Sequence, residues 1–248
     1  MRCRTESFKK TALPYFAFAL ALYIAGGIFD FARQKSGIFK DCAVAEKSAV
    51  KSSGTMLFGV LSGYGAVLAD FVWIASYGDW EMGNAAGCAA NMELALALNP
   101  NMKSFWSMAS AITAYDMPYW IAREKGVATQ SAEFKRIERI QAKRGVAYLK
   151  KALLRFPENR ALLIQLAELY EKKLGNLNAA IDCYERAVLT DKTMVFPQRA
   201  LAELYAKNGN MPKAEAILNG LILRAEKDSP IYKSLAEQLN AIRAKAKR

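Results

Sequence analysis

Residues 166–188 read LAELYEKKLGNLNAAIDCYERAV, and residues 201–223 read LAELYAKNGNMPKAEAILNGLIL. In the first, Leu166, Ala167 and Tyr170 open a helical pattern, Gly175 breaks the chain, and Ala180, Tyr184 and Ala187 lie along a second helix. In the second, Leu201, Ala202 and Tyr205 precede Gly209, and Ala214, Leu218 and Leu221 follow it. The same order of small, large and breaking residues therefore recurs, with one extra residue in the first turn. Alanine where two helices cross allows close approach, the neighbouring aromatic or leucine fills the hole beside it, and glycine or asparagine makes the turn. A repeated antiparallel helix pair is the structure this pattern dictates.

The two units resemble the tetratricopeptide repeat (TPR), and the resemblance extends backwards. GVAYLKKALLRFPEN supplies the second helix of an earlier unit through Gly145, Leu149, Ala152 and Pro157, and GCAANMELALALNPN does so again through Cys88, Met92, Ala95 and Pro100. Each proline falls just past a helix, where its missing amide hydrogen stops propagation. The expected fold is all-α: an N-terminal transmembrane helix, then a right-handed α-solenoid of TPR-like helical hairpins with a C-terminal capping helix. The solenoid is expected over residues 55–228 as about four units, and residues 229–248 form the cap and a basic tail. The cap carries Ile231, Leu235, Leu239 and Ile242 on its apolar stripe.

Pro100 and Pro157 lie one repeat plus an insertion apart. NMKSFWSMASAITAYD forms the first helix of that unit, with Trp106 at the large position. The insertion, near 117–144, is expected as a helix extension after Pro118, a loop around Gly126, and a second helix lengthened from about Ser131.

Residues 1–10 are a basic leader, 11–29 carry no charge and are long enough at about 1.5 Å per residue to cross a bilayer core, and 30–54 form a polar tether. A cleaved signal peptide shares the basic start and apolar run. Continuation through Ile28 and Phe29 past the small triplet at 25–27 favours the uncleaved anchor. The basic residues before the span tilt the orientation towards a single-pass protein with its bulk outside the cytoplasm, on the periplasmic side.

SGYGAVLADFVWIASYGDW, residues 62–80, competes as a second span, but Asp70 at its centre and the basic stretch before it disfavour that. As the first helix of the solenoid it is expected to pack Val67, Phe71 and Ile74 on the next helix, with Trp73 beside them. Ala69, Asp70 and Trp73 also resemble the AD-x-x-W helix that precedes the repeats in membrane-anchored bacterial repeat proteins.

Chemistry is constrained by what is missing. The chain has no histidine, so imidazole acid–base and metal chemistry are excluded. Cys3, Cys42, Cys88 and Cys183 are too dispersed for a zinc knuckle, and Cys88 and Cys183 fall at packed helix positions. Asp70 and Asp79 face different ways and read as structural. The net charge of +12 is interspersed along solvated helix faces, and the alternation of aromatic and basic residues typical of a nucleic-acid platform is absent. No catalytic, cofactor or metal residues are assigned, and the expected function is a membrane-tethered, non-catalytic scaffold for a protein or peptide. Groove positions are Ser107, Ala111 and Tyr115, then Ile164, Glu168 and Lys172, then Arg199, Glu203 and Lys207. The TPR clamp for terminal carboxylates uses Lys and Asn at such places; Glu168 and Glu203 stand here instead, which implies a basic or mixed-charge partner. The rival reading is a structural or accessory subunit of a membrane-associated assembly that touches neighbours through a lateral apolar surface at Phe71, Trp73 and Ile74.

Overall fold

The computed structural model describes residues 64–246, and they are entirely helical in their regular structure. A first hairpin joins α1 (Gly65–Met82) to α2 (Ala85–Leu98). The second is longer: α3 (Lys103–Ala111) runs through a π-helical turn, Ile112–Asp116, into α4 (Met117–Glu124), and returns as α5 (Ala132–Arg155). The third pairs α6 (Arg160–Lys172) with α7 (Leu177–Thr190), the fourth α8 (Val195–Lys207) with α9 (Met211–Arg224), and α10 (Pro230–Ala246) lies against α9.

Helix starts follow from local chemistry. Asn84, Asn159, Asn176 and Asn210 each accept a hydrogen bond from a backbone amide three residues on, as Ser131 does for α5. These side chains satisfy amides that a helix leaves unpaired in its first turn. At the hairpin bends, Gly175 and Gly209 adopt positive φ, a backbone region costly to any residue with a Cβ.

One continuous core runs through the stack. Ala95, Ala109, Ala152, Ala167, Ala180, Ala187, Ala202 and Ala214 are fully buried, with Leu149, Leu163, Leu169, Tyr184, Leu204 and Leu218 between them. At the crossing of α3 and α5 even alanine is tight. A Cβ on Gly145 would stand 3.0 Å from the Ser110 carbonyl and 3.0 Å from the Ala114 Cβ. Ser110 hydroxyl in turn donates to the Gly145 carbonyl at 2.9 Å.

α1 rotates differently from the sequence expectation. Val67, Phe71 and Ile74 point outward, while Ala69, Ser76 and Asp79 are buried. Trp73 faces inward and stacks on Phe105 with ring centroids 4.3 Å apart. Trp80 donates to Asp116 at 2.9 Å, and Arg123 donates to the Met82 carbonyl at 3.1 Å. Asp79 accepts from Asn84 at 2.7 Å and Asn91 at 2.8 Å, which locks the α1–α2 bend. In α10, Leu235, Leu239 and Ile242 are buried, but Ile231 is 52% exposed.

The membrane component of the expected fold requires correction. Among the described residues no helix is long and apolar enough to cross a membrane. α1 spans only ~27 Å and carries Asp70, Asp79 and Glu81. The anchor expected over 11–29 lies outside the described residues, as do the leader and tether. The transmembrane helix, the membrane-anchored bacterial type, attachment to a membrane through 11–29 and single-pass placement on the periplasmic side are withdrawn. What stands is an all-helical solenoid of TPR-like hairpins.

Two outcomes follow from this packing. Gly145→Val, which cannot clear a backbone carbonyl, is expected to destabilise the fold by about 1–3 kcal/mol, read as a lower urea midpoint at unchanged slope. Burial pushes the Cys88 and Cys183 thiols up to about 11. Native protein treated with iodoacetamide at pH 8 should leave both unlabelled by peptide mapping, and urea should expose both.

Candidate partner-binding face

The first helices of successive hairpins are tied side by side through polar contacts. The Ser107 hydroxyl of α3 donates to Gln165 Oε1 on α6 at 2.7 Å, and Gln165 Nε2 donates back to the Ser107 carbonyl at 2.8 Å. Lys207 of α8 reaches Glu171 of α6 at 2.8 Å. Arg199 of α8 donates to Gln238 at 2.9 Å and Ser234 at 3.0 Å on α10. These contacts place α3, α6, α8 and α10 along one face.

Each groove position expected from sequence can be located on that face. Ser107, Ala111, Tyr115, Ile164 and Glu168 are half-buried, and Lys172, Glu203 and Lys207 are exposed. Tyr115 lies under the Lys173 ammonium, 4.8 Å from the ring centre, and burial raises its hydroxyl pKa. Ile164 packs against the core. Lys172 pairs with Glu168 at 3.2 Å, and Lys207 pairs with Glu203 at 3.0 Å as well as with Glu171. Hydrogen bonds that Lys207 donates to Glu171 and then to Glu203 raise its pKa. The face is therefore mixed in charge but largely neutralised by its own neighbours.

One opening interrupts this paired surface. Val195, Phe196, Arg199, Ala200, Glu203 and Gln238 line an open depression of about 450 Å³ between α8 and α10. Phe196 is 55% exposed there. Arg199 and Glu203 are among the groove positions expected from sequence; Phe196 and Gln238 are not. The usable signal was register: Phe196 stands 35 residues after Ala161, a large aromatic where the preceding repeat has a methyl group.

The approach to the depression is held by side-chain hydrogen bonds. Asp191 accepts from the Thr193 hydroxyl at 2.6 Å, the Thr193 amide at 2.8 Å and Arg160 at 2.7 Å. Gln198 donates to the carbonyls of Lys192 at 2.9 Å and Met194 at 2.8 Å, and Arg224 donates to Gln198 at 2.7 Å. This network fixes the turn from which Val195 and Phe196 emerge.

The lateral surface expected at Phe71, Trp73 and Ile74 is divided by the structure: Phe71 and Ile74 are exposed, and Trp73 stacks inward. Among the described residues, no group of three His, Cys, Asp or Glu side chains could hold a metal ion. The regular structure of the described residues is paired helices of the repeat type throughout.

Residues 173–239 match the family model described as tetratricopeptide repeat. No curated protein matches the chain. Among solved structures it is similar to a thermophilic TPR protein of Thermus thermophilus, at 20% identity over 69% of this chain and 81% of that one, with a TM-score of 0.46. It is also similar to MamA of Desulfovibrio magneticus, at 16% identity over 65% and 78% of the two chains with a TM-score of 0.41. A tetratricopeptide repeat protein from Parabacteroides merdae shares 16% identity over 72% and 75%, with a TM-score of 0.35.

Asp191 carries a pH prediction. Hydrogen bonds from the Thr193 hydroxyl and amide, with Arg160 beside them, lower its pKa below the ordinary 3.8. Its contribution is complete above that ordinary value and is lost as pH falls through the lowered one. Asp191→Ala should melt below the wild type at pH 7, with the gap closing as the pH drops below 3.8; a gap independent of pH would contradict the assignment.

Proposed function

We propose that residues 64–246 form a non-catalytic helical-repeat scaffold that binds a segment of a protein partner along the face formed by α3, α6, α8 and α10. The observation that carries this reading is the open depression around Phe196, an exposed aromatic in the first turn of α8 beside the hydrogen-bonding groups of Arg199 and Gln238. A preorganised aromatic anchor with few adjacent polar groups is the usual centre of a binding patch.

Because Lys172, Lys207, Glu168 and Glu203 are already paired, the site offers little free charge. Its affinity comes from burying an apolar side chain at Phe196, with charges around it selecting against poor fits. This refines the mixed-charge partner expected from sequence into a segment with one apolar anchor.

The test is affinity isolation from the native cell extract with wild-type protein, Phe196→Ser, and a triple charge reversal at Arg199, Glu203 and Lys207. A partner recovered with wild type should be lost with Phe196→Ser, at unchanged melting temperature. The reading is wrong if a reproducible partner survives both variants.

A further inference from the structure

The first and last of the described helices are finished differently. At the carboxyl end, α10 buries Leu235, Leu239 and Ile242 and turns Lys233, Glu237, Asn240 and Arg243 to solvent. That is the polar outer face a terminal repeat needs. At the other end, α1 buries Ala69, Ser76 and Asp79 and shows Tyr64, Val67, Phe71, Ile74 and Tyr77, each between 48% and 66% exposed. Their spacings of three and four residues set them in one row about 20 Å long. Contiguous exposed apolar area of this kind marks a contact surface.

The charges beside the row narrow the occupant. Asp70 and Glu81 are exposed along it, and the sequence has no Lys or Arg from residue 64 to residue 102, although the whole chain carries +12. The acidic, apolar end thus stands out against a basic molecule. A second copy is a poor match: antiparallel pairing of two α1 helices centred on Phe71 sets two Asp70 carboxylates together without a cation. A straight apolar row flanked by carboxylates instead fits an amphipathic helix laid alongside it, with Lys or Arg bordering its own apolar stripe.

We propose that the outer face of α1 is a docking site for a basic amphipathic helix of a partner protein, which extends the stack of helices by one. This surface is separate from the depression at Phe196, so a single chain can hold two partners.

The experiment uses the full chain and a fluorescent eighteen-residue Leu/Lys helix with a 3.6-residue apolar period, against a Leu/Glu helix of the same pattern. Fluorescence anisotropy should show the Leu/Lys helix binding more tightly, the reverse of what the net charge alone would give. Phe71→Ser with Ile74→Ser, which removes two apolar contacts, should weaken it at least roughly ten-fold. Asp70→Lys with Glu81→Lys should reverse the preference between peptides. Arg199→Glu, remote from α1, should leave binding unchanged, which keeps this result distinct from the test of the Phe196 site. All of these residues are exposed or partly exposed, and melting curves serve as the folding control. Tighter binding of the Leu/Glu helix, binding of neither, or indifference to the Phe71 and Ile74 changes overturns the proposal. So does a wild-type dimer in light scattering that the same two changes dissolve, because the occupant would then be a second copy.

Discussion

The close crossing of helices over side chains no larger than a methyl group underlies everything else in this molecule. Ala167, Ala180, Ala202 and Ala214 are fully buried in the paired helices, Gly145 stands against Ser110 and Ala114, and Tyr184, Leu163 and Leu218 are buried in the same core. A larger residue at any of these points would separate the pair and open voids around its neighbours, losing dispersion contacts on all sides. The hairpins stack because each crossing leaves a second face, also apolar, for the next pair.

That dependence explains what was readable from the chain. The alternation of small and large residues around a glycine bend is a direct imprint of the crossing, so the hairpins of α6 to α9 are visible in Leu166–Val188 and Leu201–Leu223. The facing of α1 was not readable, because apolar residues occupy both of its sides: Val72 and Trp73 inward, Phe71 and Ile74 outward. A helix without amphipathic contrast carries no periodic signal of its orientation. What orients α1 is a handful of long-range contacts, Trp73 on Phe105, Trp80 on Asp116, and the Arg123 guanidinium on the Met82 carbonyl, whose partners lie 32 to 41 residues away in sequence. The π-helical turn at Ile112–Asp116 left no trace in the pattern either.

The groove shows a similar division. The positions of its residues follow from repeat register, but their state depends on pairing. Glu168 with Lys172 and Glu203 with Lys207 are four apart, a spacing that already favours contact on one helix. The additional link from Lys207 to Glu171 crosses between hairpins and is visible only in three dimensions. Exposed pairs of this kind add little stability. Their consequence is electrostatic: they withdraw charge from a face that otherwise looks strongly ionic.

A repeat stack has no intrinsic length, so its ends must be specified chemically. Here α10 specifies one end by presenting charge and amide groups to water, which makes adding another helix there costly in desolvation. α1 specifies nothing of the kind, since a helix packed on Phe71 and Ile74 would bury apolar surface and would leave Asp70 and Glu81 at its edge, where a cation can meet them. Of the described helices, α10 thus turns a polar face outward, and α1 an apolar one flanked by carboxylates.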